Sequence, residues 1–266
     1  EVETTLRGIQ PLIQSQVIHQ FVIRRANLRW PIPQADLQRL VGQAITEVKR
    51  RGKYLLLSTE LATIIIHLGM SGRLQILDKP AIVNKHDHVD IIFNNGSLLR
   101  FTDPRRFGAL LCSETDPYQH PLLKRLGVEP LSRQFSLHYL TQQLQHKRLT
   151  IKSALMDQSI VVGVGNTCAT EASFIAAIRP TKFAKTLSLA DSKRLLKAIK
   201  SILRQAIRHG GSSLKDFLNS EGKPGYFSQK LQVYGRAGLP CLRCKSLLQL
   251  IRIGQRSTVY CPHCQS

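Results

Sequence analysis

Cys241-Leu242-Arg243-Cys244 and Cys261-Pro262-His263-Cys264 close the chain, with sixteen residues between the two pairs. This C-x2-C…C-x2-C spacing is that of a four-thiolate zinc ribbon: each pair sits on a tight knuckle, and the intervening run is long enough for a returning hairpin. Two disulfides are the alternative reading of the same spacing, and nothing else in the sequence points to an oxidising compartment. Four thiolates would close the ion's coordination shell, so the zinc is structural. The other cysteines, Cys112 and Cys168, lie apart and read as small apolar residues.

Upstream of the ribbon the sequence changes period twice. From Val17 to Leu111 short β-rich runs dominate: Lys53–Ser58, Thr63–Leu68, Arg73–Leu77, His88–Phe93 and Ser97–Thr102, with turn formers such as Asn94-Asn95-Gly96 between them. Five or more strands at this spacing predict a sandwich or flattened barrel, preceded by a helix that runs to about Gln14. Ser113–Ser132, with Pro117, Pro121 and Pro130, reads as a linker. Helices are then expected over Leu137–Leu144, Ile151–Met156 and Asn166–Ile178. The last begins at Ser188, where Ser188-x-x-Asp191 offers a capping box, and stops at Gly210-Gly211. The expected fold is therefore a multidomain α+β protein: a β-sandwich or flattened barrel over 1–112, a linker over 113–135, a helical domain over 136–230 and a zinc ribbon over 231–266.

Charge separates the same halves. The 266 residues carry a net charge of +21, and residues 136–266 hold twenty basic side chains against five acidic ones. Such an imbalance suits a polyanion, because clustered Lys and Arg displace the counterions of phosphates. Along Ser188–Arg208 the basic face opposite the apolar stripe is open to either solvent or DNA. No apolar run approaches the roughly 18 residues of a membrane span, and no leader-like segment opens the sequence, so an integral membrane protein is excluded.

Three loops carry chemistry. Val161-Val162-Gly163-Val164-Gly165-Asn166 joins two expected helices; its glycines allow a tight path, Asn166 is a suitable N-cap, and the amides with the helix dipole suit a phosphate. A plain helix hairpin is the other reading. His67-Leu68-Gly69-Met70-Ser71-Gly72 places Met70 at a tight turn, either as a wedge for a base stack or as a side chain buried at an interface. Thr102-Asp103-Pro104-Arg105-Arg106-Phe107-Gly108 adds arginines that can contact bases or phosphates and a phenylalanine that can stack.

Together RGKYLLL, IIIHLGMSG, KHDHVD, TDPRRFG, VGVGN, GKPGYF, LQVYGR and the four-cysteine ribbon resemble the bacterial formamidopyrimidine-DNA glycosylases, across essentially the whole chain. The resemblance implies an N-terminal β-sandwich, a helix–two-turn–helix module and a zinc finger, and an enzyme that excises oxidised purines such as 8-oxoguanine and formamidopyrimidines and then cleaves the abasic strand by β,δ-elimination. It implies double-stranded DNA with oxidised bases or abasic sites as partner, one structural Zn2+ on Cys241, Cys244, Cys261 and Cys264, a monomer, and a cytoplasmic, nucleoid-associated location in a bacterium.

Position by position, Lys53 matches a proton donor of the β-elimination, and Arg256 matches a phosphate-binding arginine of the finger that assists δ-elimination. His67, His86, Arg148 and Asn166 match DNA-contacting positions, and Lys152 matches a lysine beside the lesion. Met70, Arg105 and Phe107 match the residues that fill the gap left by an everted nucleotide. The stretch Gly210–Tyr226 resembles a lesion-capping loop. In the family the nucleophile is an N-terminal proline in Pro-Glu-Leu-Pro, with the adjacent glutamate in proton transfer. Glu1 aligns with the fifth residue of that pattern, so both catalytic groups are expected upstream of it, and the chain from Glu1 onward is expected to have little glycosylase activity. A departure falls at Thr167-Cys168, where the family has Ile-Tyr. The related readings are an endonuclease VIII-like glycosylase for oxidised pyrimidines, and a non-catalytic zinc protein that binds lesions; the HLGMSG and GKPGYF loops favour the purine-specific branch.

Overall fold

The computed structural model describes residues 1–78, 82–211 and 230–266. Glu1–Lys124 make up one compact unit, and Arg125–Arg208 with the chain from 230 onward make up a second.

The first unit opens with α1 (Val2–Ile13), whose Val2, Leu6, Ile9 and Ile13 recur at helical spacing and meet the core on one side. Two four-stranded antiparallel sheets follow. One has the order β1 (Ile18–Ile23), β6 (Asp87–Phe93), β7 (Leu98–Thr102), β5 (Arg73–Leu77); the other has β2 (Glu47–Arg51), β3 (Tyr54–Ser58), β4 (Thr63–His67), β8 (Ala109–Ser113). The alternation of apolar residues explains why they share a core. Leu55 and Leu57 on β3 stand opposite Ile66 and Ile64 on β4, while Val89, Ile91 and Phe93 on β6 meet them from the other sheet. The short helix α2 (Gln34–Gln38) adds Leu37 to the same core. The expected strands are present, and the sequence reading missed the residue bounds of β1, β2 and β8. β2 is a charged edge, Glu-Val-Lys-Arg-Arg, in which only Val48 faces inward, so it lacks the apolar run of the interior strands.

The stretch read as a linker is ordered in part. It contains a 3-10 turn at Pro117–Gln119 and the single-turn helix α3 (Pro121–Lys124). From Gly127 it is bonded into the second unit: the Gly127 N–H donates to the Gln158 carbonyl (2.8 Å), and the Val162 N–H to the Val128 carbonyl (3.1 Å).

The second unit is helical: α4 (Leu137–Leu144), α5 (Ile151–Met156), α6 (Asn166–Ile175) and α7 (Leu189–Arg208). Its core gathers Leu140, Leu144, Ile151, Leu155 and Ala172 with Leu195, Ile199 and Ile202 from the apolar stripe of α7. The capping box forms as expected: the Asp191 N–H donates to Ser188 Oγ (3.0 Å), and the Ser188 N–H to the Asp191 carboxylate (3.2 Å). The hairpin β9 (Gln249–Ile253) and β10 (Arg256–Tyr260) completes this unit. Among the described residues no helix is long and apolar enough to cross a membrane. The expected lesion-capping loop lies, from residue 212, outside the described residues.

Candidate nucleic-acid interface and metal centre

In the first unit, the loop after β4 and the loop after β7 meet. His67 ends β4; its Nδ1 accepts the Gly69 N–H (3.1 Å), and its ring lies 4.8 Å from that of Tyr54. Burial, then the positive charges of Lys53 and Arg29, push the His67 pKa down to about 4, so the imidazole is neutral and its Nδ1 stays an acceptor at neutral pH. Lys53 stands at the turn into β3, one residue before the strand.

Beyond this histidine the chain projects two large apolar side chains outward. Met70 is 61% exposed and Phe107 48%. Arg105 is exposed too and places its guanidinium 5.1 Å from the centre of the Phe107 ring. Met70 is thus not part of the core of the first unit. His86 is half-buried beside this loop; its ring is edge-on to the buried His88 at 6.5 Å, and its carbonyl accepts the Asp103 N–H (3.0 Å).

In the second unit, the turn before α6 is tight because Gly163 takes a left-handed φ of +78°. Gln158 braces it, accepting the Gly163 N–H (2.9 Å) and donating to the Val164 carbonyl (3.1 Å). The cap position falls to Gly165 rather than Asn166, which becomes the first helical residue. From there its Nδ2 donates to the Ser257 carbonyl (3.2 Å) on the β9–β10 hairpin. Because Gly165 has no side chain to close the helix, the positive end of the α6 dipole is left without a side-chain cap.

The same hairpin carries Arg256. Its two-residue turn, Gly254-Gln255, has positive φ at both positions (54° and 61°), the type I′ geometry that matches strand twist. Arg256 follows at the exposed tip. Behind it, Lys152 reaches from α5 and is wholly buried; its Nζ donates to the Ser257 carbonyl (3.1 Å) and to the Thr258 hydroxyl. Burial, then repulsion from Arg256, lowers the Lys152 pKa to about 8. Lys152 is thus enclosed behind the surface that carries Arg256, whereas Arg148, just before α5, is exposed. The sequence reading gave Glu171 no role: its buried carboxylate accepts the N–H groups of Gln232 (2.9 Å), Val233 (2.9 Å) and Tyr234 (2.8 Å), fastening the segment that leads into the finger to α6.

The four Sγ atoms of Cys241, Cys244, Cys261 and Cys264 lie within 4.8 Å of one another, backed by Phe174, Val233, Leu248 and Val259. All four are thiols; the shorter Sγ contacts, Cys244–Cys261 (3.4 Å) and Cys241–Cys264 (4.0 Å), join residues of different knuckles and are well beyond a disulfide bond. Four soft donors converging from two knuckles fit one structural zinc ion, with no open position for catalysis.

Known proteins share this arrangement. Residues 1–110 match the formamidopyrimidine-DNA glycosylase N-terminal domain, 126–218 the formamidopyrimidine-DNA glycosylase H2TH domain, and 238–266 a zinc finger found in FPG and IleRS. The formamidopyrimidine-DNA glycosylase of Shewanella amazonensis is 52% identical over 266 residues, covering 100% of this chain and 98% of that protein. That of Nitrosococcus oceani is 49% identical over 265 residues, again covering 100% and 98%. Among solved structures, the MutM (Fpg) protein of Thermus thermophilus superposes with a TM-score of 0.88 at 37% identity, covering 100% of this chain and 97% of that one. Lactococcus lactis Fpg in complex with DNA containing N7-benzyl-Fapy-dG reaches 0.91 at 32% identity, covering 100% and 98%. The chain belongs to the formamidopyrimidine-DNA glycosylase family.

Proposed function

We propose that this protein is a base-excision repair DNA glycosylase and abasic-site lyase that removes oxidised purines from double-stranded DNA and cleaves the resulting strand by β,δ-elimination. The observation that carries the reading is the joint at Ser257, the residue after Arg256, whose carbonyl accepts both Asn166 Nδ2 at the head of α6 and Lys152 Nζ from α5. A helix N-terminus bonded to a hairpin that carries an exposed arginine suits backbone phosphate. Lactococcus lactis Fpg of the same fold has been solved with DNA containing an abasic site.

Within this reading the division of labour runs 1–112 for the catalytic sandwich, 136–230 for the helix–two-turn–helix module with its capping loop, and 231–266 for the finger. Arg148, Asn166, Arg256, His67 and His86 contact the DNA. Lys152 contributes from behind, by setting the carbonyl next to Arg256. Met70, Arg105 and Phe107 enter the duplex where the damaged nucleotide leaves, an exposed apolar pair with a cation at hand. Lys53 supplies the proton of the β-elimination. The nucleophile is a secondary amine: its attack on C1′ expels the base and leaves an iminium ion, which acidifies the C2′ proton and drives elimination of the 3′- and then the 5′-phosphate. The protein works as a cytoplasmic monomer on the bacterial nucleoid.

The test is incision of duplexes containing 8-oxoguanine or thymine glycol by the full-length gene product. Faster release of 8-oxoguanine is expected; a preference for thymine glycol would move the protein to the pyrimidine branch, and binding without incision of either would make it a lesion binder.

A further inference from the structure

The two loops that present Met70 and the Arg105–Phe107 pair are joined through one side chain that no reaction step uses. Asp103 is fully buried. Its Oδ1 accepts the Ser71 hydroxyl (2.7 Å), and its Oδ2 accepts the Gly108 N–H (2.7 Å). Ser71 Oγ in turn accepts the Arg105 N–H (3.1 Å), so a continuous relay runs from the Arg105 backbone through Ser71 to Asp103 and on to Gly108. The main chain of Asp103 is pinned as well: its N–H donates to the His86 carbonyl (3.0 Å), and its carbonyl accepts His88 Nε2 (2.8 Å).

The backbones of the two loops are also in contact. Gly69 has a φ of +67°, and a Cβ there would stand 2.5 Å from the Gly108 nitrogen; a Cβ on Gly108 would stand 2.8 Å from the His67 carbonyl oxygen. Glycine at both positions lets the loops close on each other, and the carboxylate then bonds the residue after Met70 to the residue after Phe107. A buried carboxylate serving two donors on two segments has a geometry that neither donor alone would set.

We propose that Asp103, through Ser71, is a positioning residue that makes the two loops a single rigid wedge, so that Met70, Arg105 and Phe107 enter a duplex as one body. The inference rests on the reading of those three side chains as the filler of the everted nucleotide's gap. A wedge on two independent loops would lose conformational entropy at each insertion; one held before DNA arrives has already lost it.

The experiment uses a duplex with a tetrahydrofuran abasic analogue and 2-aminopurine opposite it. Binding is followed by anisotropy of an end label, and wedge insertion by 2-aminopurine fluorescence at saturating protein. Ser71→Ala cuts the relay between the loops, Asp103→Asn removes the double acceptor, and Phe107→Ala reports complete loss of the stacking ring. The tether predicts that, in variants whose melting temperature stays within a few degrees of the parent, the saturating fluorescence change falls at least twofold in Ser71→Ala and Asp103→Asn, toward the Phe107→Ala value. Full fluorescence change in Ser71→Ala, with Phe107→Ala abolishing it, overturns the tether and leaves the gap-filling reading standing. If Asp103→Asn does not fold, Ser71→Ala decides the matter, since it removes one hydroxyl. A parent protein that binds the duplex without altering the fluorescence removes the gap-filling reading, and the tether with it.

Discussion

Lys152 Nζ lies 3.1 Å from the Ser257 carbonyl oxygen, joining a helix of the H2TH domain to the hairpin of the zinc finger across 105 positions of sequence. The same carbonyl takes Asn166 Nδ2 on its other side. The residue one step before it is Arg256, so the backbone beside that arginine is anchored by a buried ammonium and an amide.

Replacing Lys152 with Met keeps the aliphatic stem and removes the donor. Loss of a buried charged hydrogen bond should cost about 1–3 kcal/mol of stability, read from urea unfolding. Affinity for abasic-analogue duplex should fall as Arg256 loses its support. The pH dependence supplies a signature. The folded pKa of about 8 lies below the ordinary 10.5, so between those values the unfolded chain binds more protons, and the contribution of Lys152 to stability rises with pH across that window. In Lys152→Met this rise is absent; an identical pH profile in parent and variant would contradict the assignment.

Glu171→Gln tests the fastening of the finger. The carboxylate serves three backbone N–H groups with two oxygens, Val233 and Tyr234 on one and Gln232 on the other. A glutamine sets an NH2 against one of these donors, for a loss of about 1–3 kcal/mol. Calorimetry should show a lower melting temperature at unchanged zinc content.

Removing zinc should release one equivalent per chain, measured with a chromogenic chelator, and unfold the hairpin that presents Arg256. Closed thiolate sites supply folding energy directly, about 10–16 kcal/mol in isolated finger peptides, while the helical core around Leu155 and Ile199 does not include the four ligand cysteines. Circular dichroism should therefore keep its helical signal while DNA affinity drops. Unchanged affinity in the zinc-free protein would show that the finger is not part of the grip.

His67 makes the first unit acid-sensitive. Its folded pKa of about 4 lies below the ordinary 6.5, so the unfolded chain takes up the proton first and stability falls as pH drops from 6.5 toward 4. His67→Asn keeps a side-chain acceptor near the Gly69 N–H and does not titrate. Its urea midpoint should vary less with pH over that window, whereas a slope equal to the parent's would contradict the buried neutral imidazole.

The metal centre and the helices were legible because their signals are local: C-x2-C spacing, a capping box at Ser188, and the apolar stripe of α7. The interior strands were legible as runs such as Thr63–His67. What escaped the sequence was set by distant partners. Asn166 looks like an N-cap, and nothing nearby in sequence announces that it sits inside the helix with its amide donating to the Ser257 carbonyl, 91 residues on. The burial of Lys152 against Thr258, and the place of Asp103 at the centre of the loop pair, are not announced by their sequence neighbours. Glu171 sits within a helix, and its three donors come from a segment more than sixty residues away.

The most direct test is binding to two duplexes of one sequence, one with a tetrahydrofuran abasic analogue and one undamaged, titrated from 50 to 200 mM salt. The account predicts tighter binding to the damaged duplex by at least about tenfold, with affinity falling roughly a thousandfold across that range if about six phosphates are gripped. Equal affinity for both duplexes, or a flat salt profile, would contradict it.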